Sequence, residues 1–140
     1  MSAELFPFEA GRVLPLLELP PVTRIELIKY AGASGDFNPI HTVDDAASAA
    51  GLPGVIQHGM LTAAKICRLC SPYLARGFVS RVELRFAAMV VVGDVLSVTG
   101  MVSAVSDNGG VRCATVEVAA LKGSEQVVAS GQIDFTEIVS

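Results

Sequence analysis

The chain is poor in charge, imidazole and thiol. Of its 140 residues 17% are charged, two are histidine and three are cysteine. So little charge beside a 51% hydrophobic fraction excludes a disordered chain. Lys and Arg number 10 against 14 Asp and Glu, and they form no basic run and no interleaving with aromatics, so nucleic acid is excluded as a partner. Long apolar stretches are also missing. The longest, Phe86 to Val92, falls far short of the ~18 residues of a spanning helix, and no membrane partner is expected. The opening MSAELFPFEAG has no basic start followed by an apolar run, so no export signal is read there. The odd number of cysteines is then expected as reduced thiols in a cytoplasmic protein. The apolar surplus implies burial against a second subunit, since obligate interfaces resemble a core cut in half.

The length implies one domain over residues 1–140, able to bury roughly two-thirds of its unfolded surface. Cys67 and Cys70 make a C-x-x-C, a spacing used by redox and zinc sites. No second pair accompanies it, and His41 and His58 are the only imidazoles. The two cysteines therefore read as small apolar residues at i and i+3 on a buried helix face.

Along the chain, residues 1–22 read as extended and punctuated by proline, with an edge strand around Val13–Leu19. Thr23 to Glu26 is a capping-box pattern ahead of the helix-period residues Ile25, Leu27, Ile28 and Ala31, and Gly32 and Gly35 end that helix. Thr42–Asp45 is a weaker cap before a short helix over Ala46–Ala50. A third helix is expected from Gly59 to Ser71, with Leu61, Ala63, Ala64, Ile66, Cys67 and Cys70 forming its apolar girth and Lys65 and Arg68 opposite. Pro72 ends or kinks it. From Val79 the period becomes two. Val82, Leu84 and Phe86 alternate with Arg81, Glu83 and Arg85, predicting a strand with one buried face. Strands over Val95–Val105, Arg112–Leu121 and Val127–Phe135 follow, with a hairpin at Asp107–Gly110 and a break near Lys122–Ser124. Helices segregated from an antiparallel sheet indicate an α+β fold.

Residues 34–41, SGDFNPIH, concentrate polar groups between apolar stretches. Pro39 biases Asn38 away from helix and favours a turn. Such a turn can bring Asp36 to His41, and a carboxylate and an imidazole sharing one water form a general acid–base pair. Equally, Asp36 and Asn38 can simply hydrogen-bond the backbone of the turn, with His41 a satisfied polar residue at a helix entrance. Gln57-His58-Gly59 precedes the apolar helix. Free N–H groups and the positive end of the dipole at a helix start suit an oxyanion, and Gly59 allows close approach of another molecule. The alternatives are that Gly59 serves helix–sheet packing and that His58 bonds a neighbouring carbonyl.

Together, YAGASGDFNPIH (Tyr30 to His41) and QHGML (Gln57 to Leu61) resemble the signature of the MaoC-like (R)-specific enoyl-thioester hydratases and (3R)-hydroxyacyl thioester dehydratases. Tyr30, Ser34, Gly35, Asp36, Asn38, Pro39, Ile40, His41 and Ala47 fill the motif positions. Arg85 to Leu96 is similar to the family's strand–turn–strand. The resemblance implies a hot-dog fold, a curled antiparallel sheet wrapped around one long central helix, in which residues 23–50 form an overhang carrying the catalytic loop. It also implies a dimer of two such units, with either a second copy or a related subunit.

The implied reaction interconverts trans-2-enoyl and (3R)-hydroxyacyl thioesters by syn addition or removal of water. In it Asp36 and His41 are catalytic, and the Gly59 amide binds the thioester oxygen. Ser34, Gly35, Asn38 and Pro39 shape the loop, and His58 and Cys67 stand behind it. Asp36 is expected to be partly desolvated beside the acyl pocket, because a free aspartate is a weak base at neutral pH. No metal and no cofactor is implied beyond the coenzyme A or acyl carrier protein that bears the substrate. Lys65, Arg68, Arg76, Arg81, Arg85 and Lys122 are unranked candidates for the carrier's phosphates. Two departures stand out: Cys67 where many members have serine, and Met89 where proline is frequent. The competing activity on such a fold is thioester hydrolysis. The chain also fits the catalytic half of a heterodimeric dehydratase.

Overall fold

The period-two half of the chain forms four long antiparallel strands: β2 (Gly77–Phe86), β3 (Leu96–Asn108), β4 (Val111–Lys122) and β5 (Gln126–Glu137). This is seen in a computed structural model that describes residues 7–123 and 125–138. With the short β1 (Leu17–Glu18) they make one sheet in the order β1-β3-β4-β5-β2. Glycine at 109 and 110 takes the positive φ that the β3–β4 hairpin needs, and Asp107 Oδ1 accepts from the Gly110 N–H at 2.9 Å.

Alternation decides which face is buried. Ala114, Val116, Val118 and Ala120 of β4 point one way, with Val98 and Val102 of β3 and Ile133 and Phe135 of β5 beside them. Helix α3 (Gly59–Cys67) lies over this face, placing Ala63 and Ile66 in the core, with Leu69 and Cys70 beyond its end. Close approach requires Gly100, where a Cβ would stand 3.0 Å from Leu69 Cδ1 and 3.2 Å from Val116 Cγ1. The expected hot-dog arrangement is thus present. Its central helix is shorter than predicted, because the chain tightens into a 3-10 turn at Arg68–Tyr73 that contains Pro72. Proline lacks the N–H of an α-helical bond, and its ring crowds the carbonyl four residues earlier.

The overhang is α1 (Arg24–Ser34), a 3-10 turn at Pro39–His41 and α2 (Asp44–Ala49). Thr23 caps α1 as expected, its hydroxyl accepting from the Glu26 N–H at 3.3 Å. Gly35 alone ends the helix, in the left-handed region at φ 75°, while Gly32 lies within it. Thr42 does not cap α2, whose N-cap is Val43 with no side-chain bond.

Three other expectations change. The strand foreseen at Val13–Leu19 is broken into a bridge at Val13 and the two residues of β1, since Pro15 has no N–H to give the ladder. Lys65 is not on an outer helix face; it is 6% exposed, while neighbouring Ala64 faces solvent. Val82 and Phe86 share the inner face of the sheet but remain 43% and 49% exposed, because β2 is an outermost strand, paired among the described residues with β5 alone. Residues 1–6 of the extended N-terminus and Ser124 of the predicted break lie outside the described residues.

Candidate active site

The loop after α1 is built by a relay of short side chains, each accepting from the backbone two residues on. Ser34 Oγ accepts from the Asp36 N–H at 3.2 Å, Asp36 Oδ1 from the Asn38 N–H at 3.2 Å, and Asn38 Oδ1 from the Ile40 N–H at 3.3 Å. Asn38 thereby caps the 3-10 turn that Pro39 opens. The turn-shaping bonds are present, and the turn also brings Asp36 to His41. One carboxylate oxygen of Asp36 shapes the loop, and the other, Oδ2, lies 3.7 Å from His41 Nε2.

His41 is 7% exposed, and its Nδ1–H donates to the carbonyl of Ile56 at 2.7 Å. A second tie, Ile56 N–H to the Ile40 carbonyl at 3.1 Å, binds the loop to the segment leading into α3. With Nδ1 committed to that carbonyl, Nε2 is the ring nitrogen that faces Asp36. The Asp36 side chain is 50% exposed, half withdrawn from solvent, and the imidazole at 9% is the more buried partner.

His58, 1% exposed, lies beneath this pair. Its ring stacks on His41 with centroids 3.8 Å apart and planes at 21°. Tyr30 meets it edge-on at 4.7 Å. His58 Nε2–H donates to the Asp36 carbonyl at 3.2 Å, so the expected bond to a neighbouring carbonyl exists and holds the Asp36–His41 loop. Its Nδ1 is buried and unpartnered among the described residues. Protonation there would bury a donor with no acceptor. Burial pushes the pKa of His58 down, the bond to the Asp36 carbonyl opposes this, and His41 adds to the lowering.

Gly59 is the first residue of α3. No side chain of the N-cap residue, His58, closes that helix end. A Cβ on Gly59 would meet only the Phe86 ring, at an ordinary 3.7 Å, and the residue has no positive φ. Neither packing nor backbone conformation requires glycine here, which favours close approach by a ligand. Asp36, His41 and His58 offer ligand-type atoms within 4.8 Å of one another, and they are the one such group among the described residues. Each imidazole has already committed one nitrogen to a backbone carbonyl.

Cys67 is not part of this cluster. It ends α3, about 13 Å along the axis from His58 at 1.5 Å per residue. Cys67 and Cys70 are free thiols; burial raises both pKa values, that of Cys70 to about 11 with help from Cys67. Lys65 leaves the set of candidate phosphate contacts because Glu26 holds it at 2.8 Å, and Lys122 is bound to Asp94 at 3.1 Å. Arg68 and Arg85 remain exposed, while Arg81, also exposed, is held by Glu83 at 2.6 Å. The sequence reading missed the stacking on His58 and the bonding of Lys65, both of which join residues far apart in the chain.

A family model described as a MaoC like domain matches residues 11–127. A fatty acid synthase subunit beta of Gibberella zeae is 39% identical over 77 residues, 53% of this chain and 4% of that protein. The 3-hydroxyacyl-thioester dehydratase X of Mycobacterium tuberculosis is 46% identical over 55 residues, 35% of this chain and 20% of that one. The chain therefore spans a small part of the length of these relatives. Among solved structures, an (R)-hydratase from A. caviae superposes with TM-score 0.81 at 24% identity, over 92% of this chain and 96% of that one. The ChsH1-ChsH2 complex from Mycobacterium tuberculosis superposes with TM-score 0.81 at 21% identity, over 93% and 98%. At such identities the likeness establishes the fold. The matched family residues run through both the Asp36–His41 loop and the start of α3, and on that match the chain belongs to the MaoC-like dehydratase family.

Proposed function

We propose that this chain interconverts trans-2-enoyl thioesters and (3R)-hydroxyacyl thioesters by reversible addition of water. The observation that carries the reading is the 3.7 Å between Asp36 Oδ2 and His41 Nε2. That separation is too long for a direct hydrogen bond, and it suits one water oxygen at about 2.8 Å from each.

In the hydration direction Asp36 accepts a hydrogen bond from one O–H of the water, which remains on the product hydroxyl, and His41 Nε2 takes the other proton as the oxygen bonds to the β-carbon. The electron pair of the double bond moves onto the thioester, whose oxygen accepts from the Gly59 N–H at the positive end of α3. The imidazolium, facing the Asp36 carboxylate, then returns its proton to the α-carbon from the same side. Water is thereby added across one face, and the enzyme ends in its starting protonation state. The chemistry needs no cofactor beyond the coenzyme A or acyl carrier protein that carries the acyl group.

The bare edge and half-exposed inner face of β2 support a dimer in which a second copy, or a related subunit, covers Val82 and Phe86. No helix among the described residues is long and apolar enough to cross a membrane. Three free thiols support a reducing, cytoplasmic setting.

The test is incubation with trans-2-enoyl-CoA substrates of graded length. Loss of the conjugated absorbance without free thiol, giving the (3R) product, is the expected result; release of free thiol would identify a thioesterase instead. Asp36→Asn and His41→Ala are each expected to lower kcat by about a hundredfold or more with the fold intact. Near-full activity in either variant overturns the assignment.

A further inference from the structure

Lys65 presents a question that neither the fold nor the acid–base pair answers. An ammonium is costly to bury, and an apolar residue of similar volume is often at least as stable in such a place. Yet α3 buries Lys65 and leaves Ala64 in solvent. A rotation of one residue about the helix axis, about 100°, would carry Lys65 to the exposed place of Ala64 and bring Ile66 to the buried place of Lys65. Something holds the helix in the orientation that its hydrophobicity does not favour.

The partners of Lys65 show what does. Nζ donates to Gln57 Oε1 at 2.6 Å and pairs with Glu26 Oε1 at 2.8 Å. Gln57 Nε2 in turn donates to Thr62 Oγ1 at 2.7 Å, and the Gln57 backbone N–H donates to the Val90 carbonyl at 2.7 Å. Gln57 is 5% exposed and Thr62 4%. The result is a polar chain, Glu26–Lys65–Gln57–Thr62, buried from Lys65 onward and open to solvent at Glu26, in which both ends of the glutamine amide are satisfied.

Its position matters. Glu26 lies on α1, which leads through Gly35 into Asp36. Gln57 lies two residues before Gly59, at a helix start that has no side-chain cap. One turn along from Glu26 on α1, Tyr30 packs against His58, and His58 bonds the Asp36 carbonyl. The two helices are therefore pinned twice, by the ionic chain at one point and around His58 at the other. They carry the two halves of the site: α1 the loop with the acid–base pair, α3 the amide that meets the thioester oxygen.

We infer that Lys65 is a positioning residue for the hydration reaction, and that its bridge from Glu26 to Gln57 sets the rotation and placement of α3 that aim the Gly59 N–H across from Asp36 and His41. This rests on the hydratase reading of the site. Lys65 touches no reacting atom in this account; it acts through Gln57.

The experiment compares wild type with Lys65→Met, Glu26→Gln and Thr62→Val on a trans-2-enoyl-CoA that the wild type hydrates. Lys65→Met keeps the stem and removes the ammonium. It is expected to lower kcat at least tenfold per folded molecule while KM moves less than threefold. The pH limbs of kcat are expected to stay in place, because the acid–base pair is untouched. Glu26→Gln, which keeps an acceptor, loses less, and the Glu26→Gln/Lys65→Met double variant is no worse than Lys65→Met alone, because both act through one contact. Amide hydrogen exchange at Gly59 and Met60 is faster in Lys65→Met than in wild type.

Folded Lys65→Met with kcat within twofold of wild type overturns the inference. So does a loss of melting temperature with unchanged turnover per folded molecule, which marks a structural role only. Should Lys65→Met fail to fold, Glu26→Gln and Thr62→Val carry the test, and wild-type kcat in both overturns it. An inactive wild type instead overturns the hydratase reading. The bridge is then judged on exchange alone, and equal exchange at Gly59 and Met60 in wild type and variant overturns it.

Discussion

The imidazole rings of His41 and His58 stack at 3.8 Å, and each ring donates one N–H to a backbone carbonyl, His41 to Ile56 and His58 to Asp36. The two histidines thus tie the Asp36–His41 loop and the entrance of α3 to each other in both directions. Two positive charges stacked this closely would repel. In the proposed reaction His41 is the ring that takes up a proton, while the buried ring beneath it, whose pKa burial lowers, stays neutral.

This neutrality makes stability depend on pH. Burial lowers the pKa of His58 below its ordinary 6.5 in the folded state. As pH falls below 6.5 the unfolded chain binds the proton first, so the contribution is fully present above 6.5 and declines as pH drops toward the lower folded value. The slope from one such group is at most about 1.4 kcal/mol per pH unit. Urea unfolding of wild type and His58→Gln at pH 7.5, 6.5 and 5.5 is expected to show a steeper acid decline in the wild type. Parallel lines would remove His58 from the explanation.

Asn38 is expected to matter for geometry and not for chemistry. Its Oδ1 caps the turn that delivers His41, and its N–H is held by Asp36 Oδ1. Asn38→Ala should cost about 1 kcal/mol of stability, the usual loss at such a cap, and lower kcat less than Asp36→Asn does. Asn38→Ser, which restores an acceptor, should recover part of both. A Ser variant no better than Ala in either measurement would show that the cap is not what Asn38 supplies.

How much of this was legible in the sequence follows from range. The Asp36, Asn38 and His41 constellation is local, so proline geometry and residue type were enough to foresee the turn. Lys65 was misplaced because helical period assigns a lysine to the wet face, and its partner Glu26 lies far back in the chain, where the capping pattern gave it another role. Val82 and Phe86 were assigned the correct face of β2. Alternation does not reveal whether anything covers that face, and at the sheet's edge this chain alone leaves them half exposed.

That uncovered edge yields the next prediction. Val82 is half exposed on the inner face of an outermost strand, where a charged side chain is tolerated in a monomer and not in a buried interface. Val82→Arg is expected to halve the mass measured by light scattering and to leave the circular dichroism of the chain unchanged. An assembly of wild-type mass would show that this edge lies outside the interface.

Gly59→Ala separates approach from architecture. The added methyl meets the Phe86 ring at 3.7 Å, an ordinary contact, and the backbone is not in the left-handed region. Alanine is also the better helix former, by up to about 1 kcal/mol in a helix interior and less at the first position. The melting temperature should therefore hold or rise slightly. The same methyl stands beside the amide proposed to receive the thioester oxygen, so kcat/KM should fall by at least about tenfold, short of the ~10²–10³ lost when an oxyanion donor is removed outright, because the N–H is kept. Thermal melts and steady-state kinetics on one preparation decide it. A stable variant with wild-type kcat/KM would mean that the thioester does not approach the start of α3, and the oxyanion donor would have to be sought elsewhere on the rim of the site.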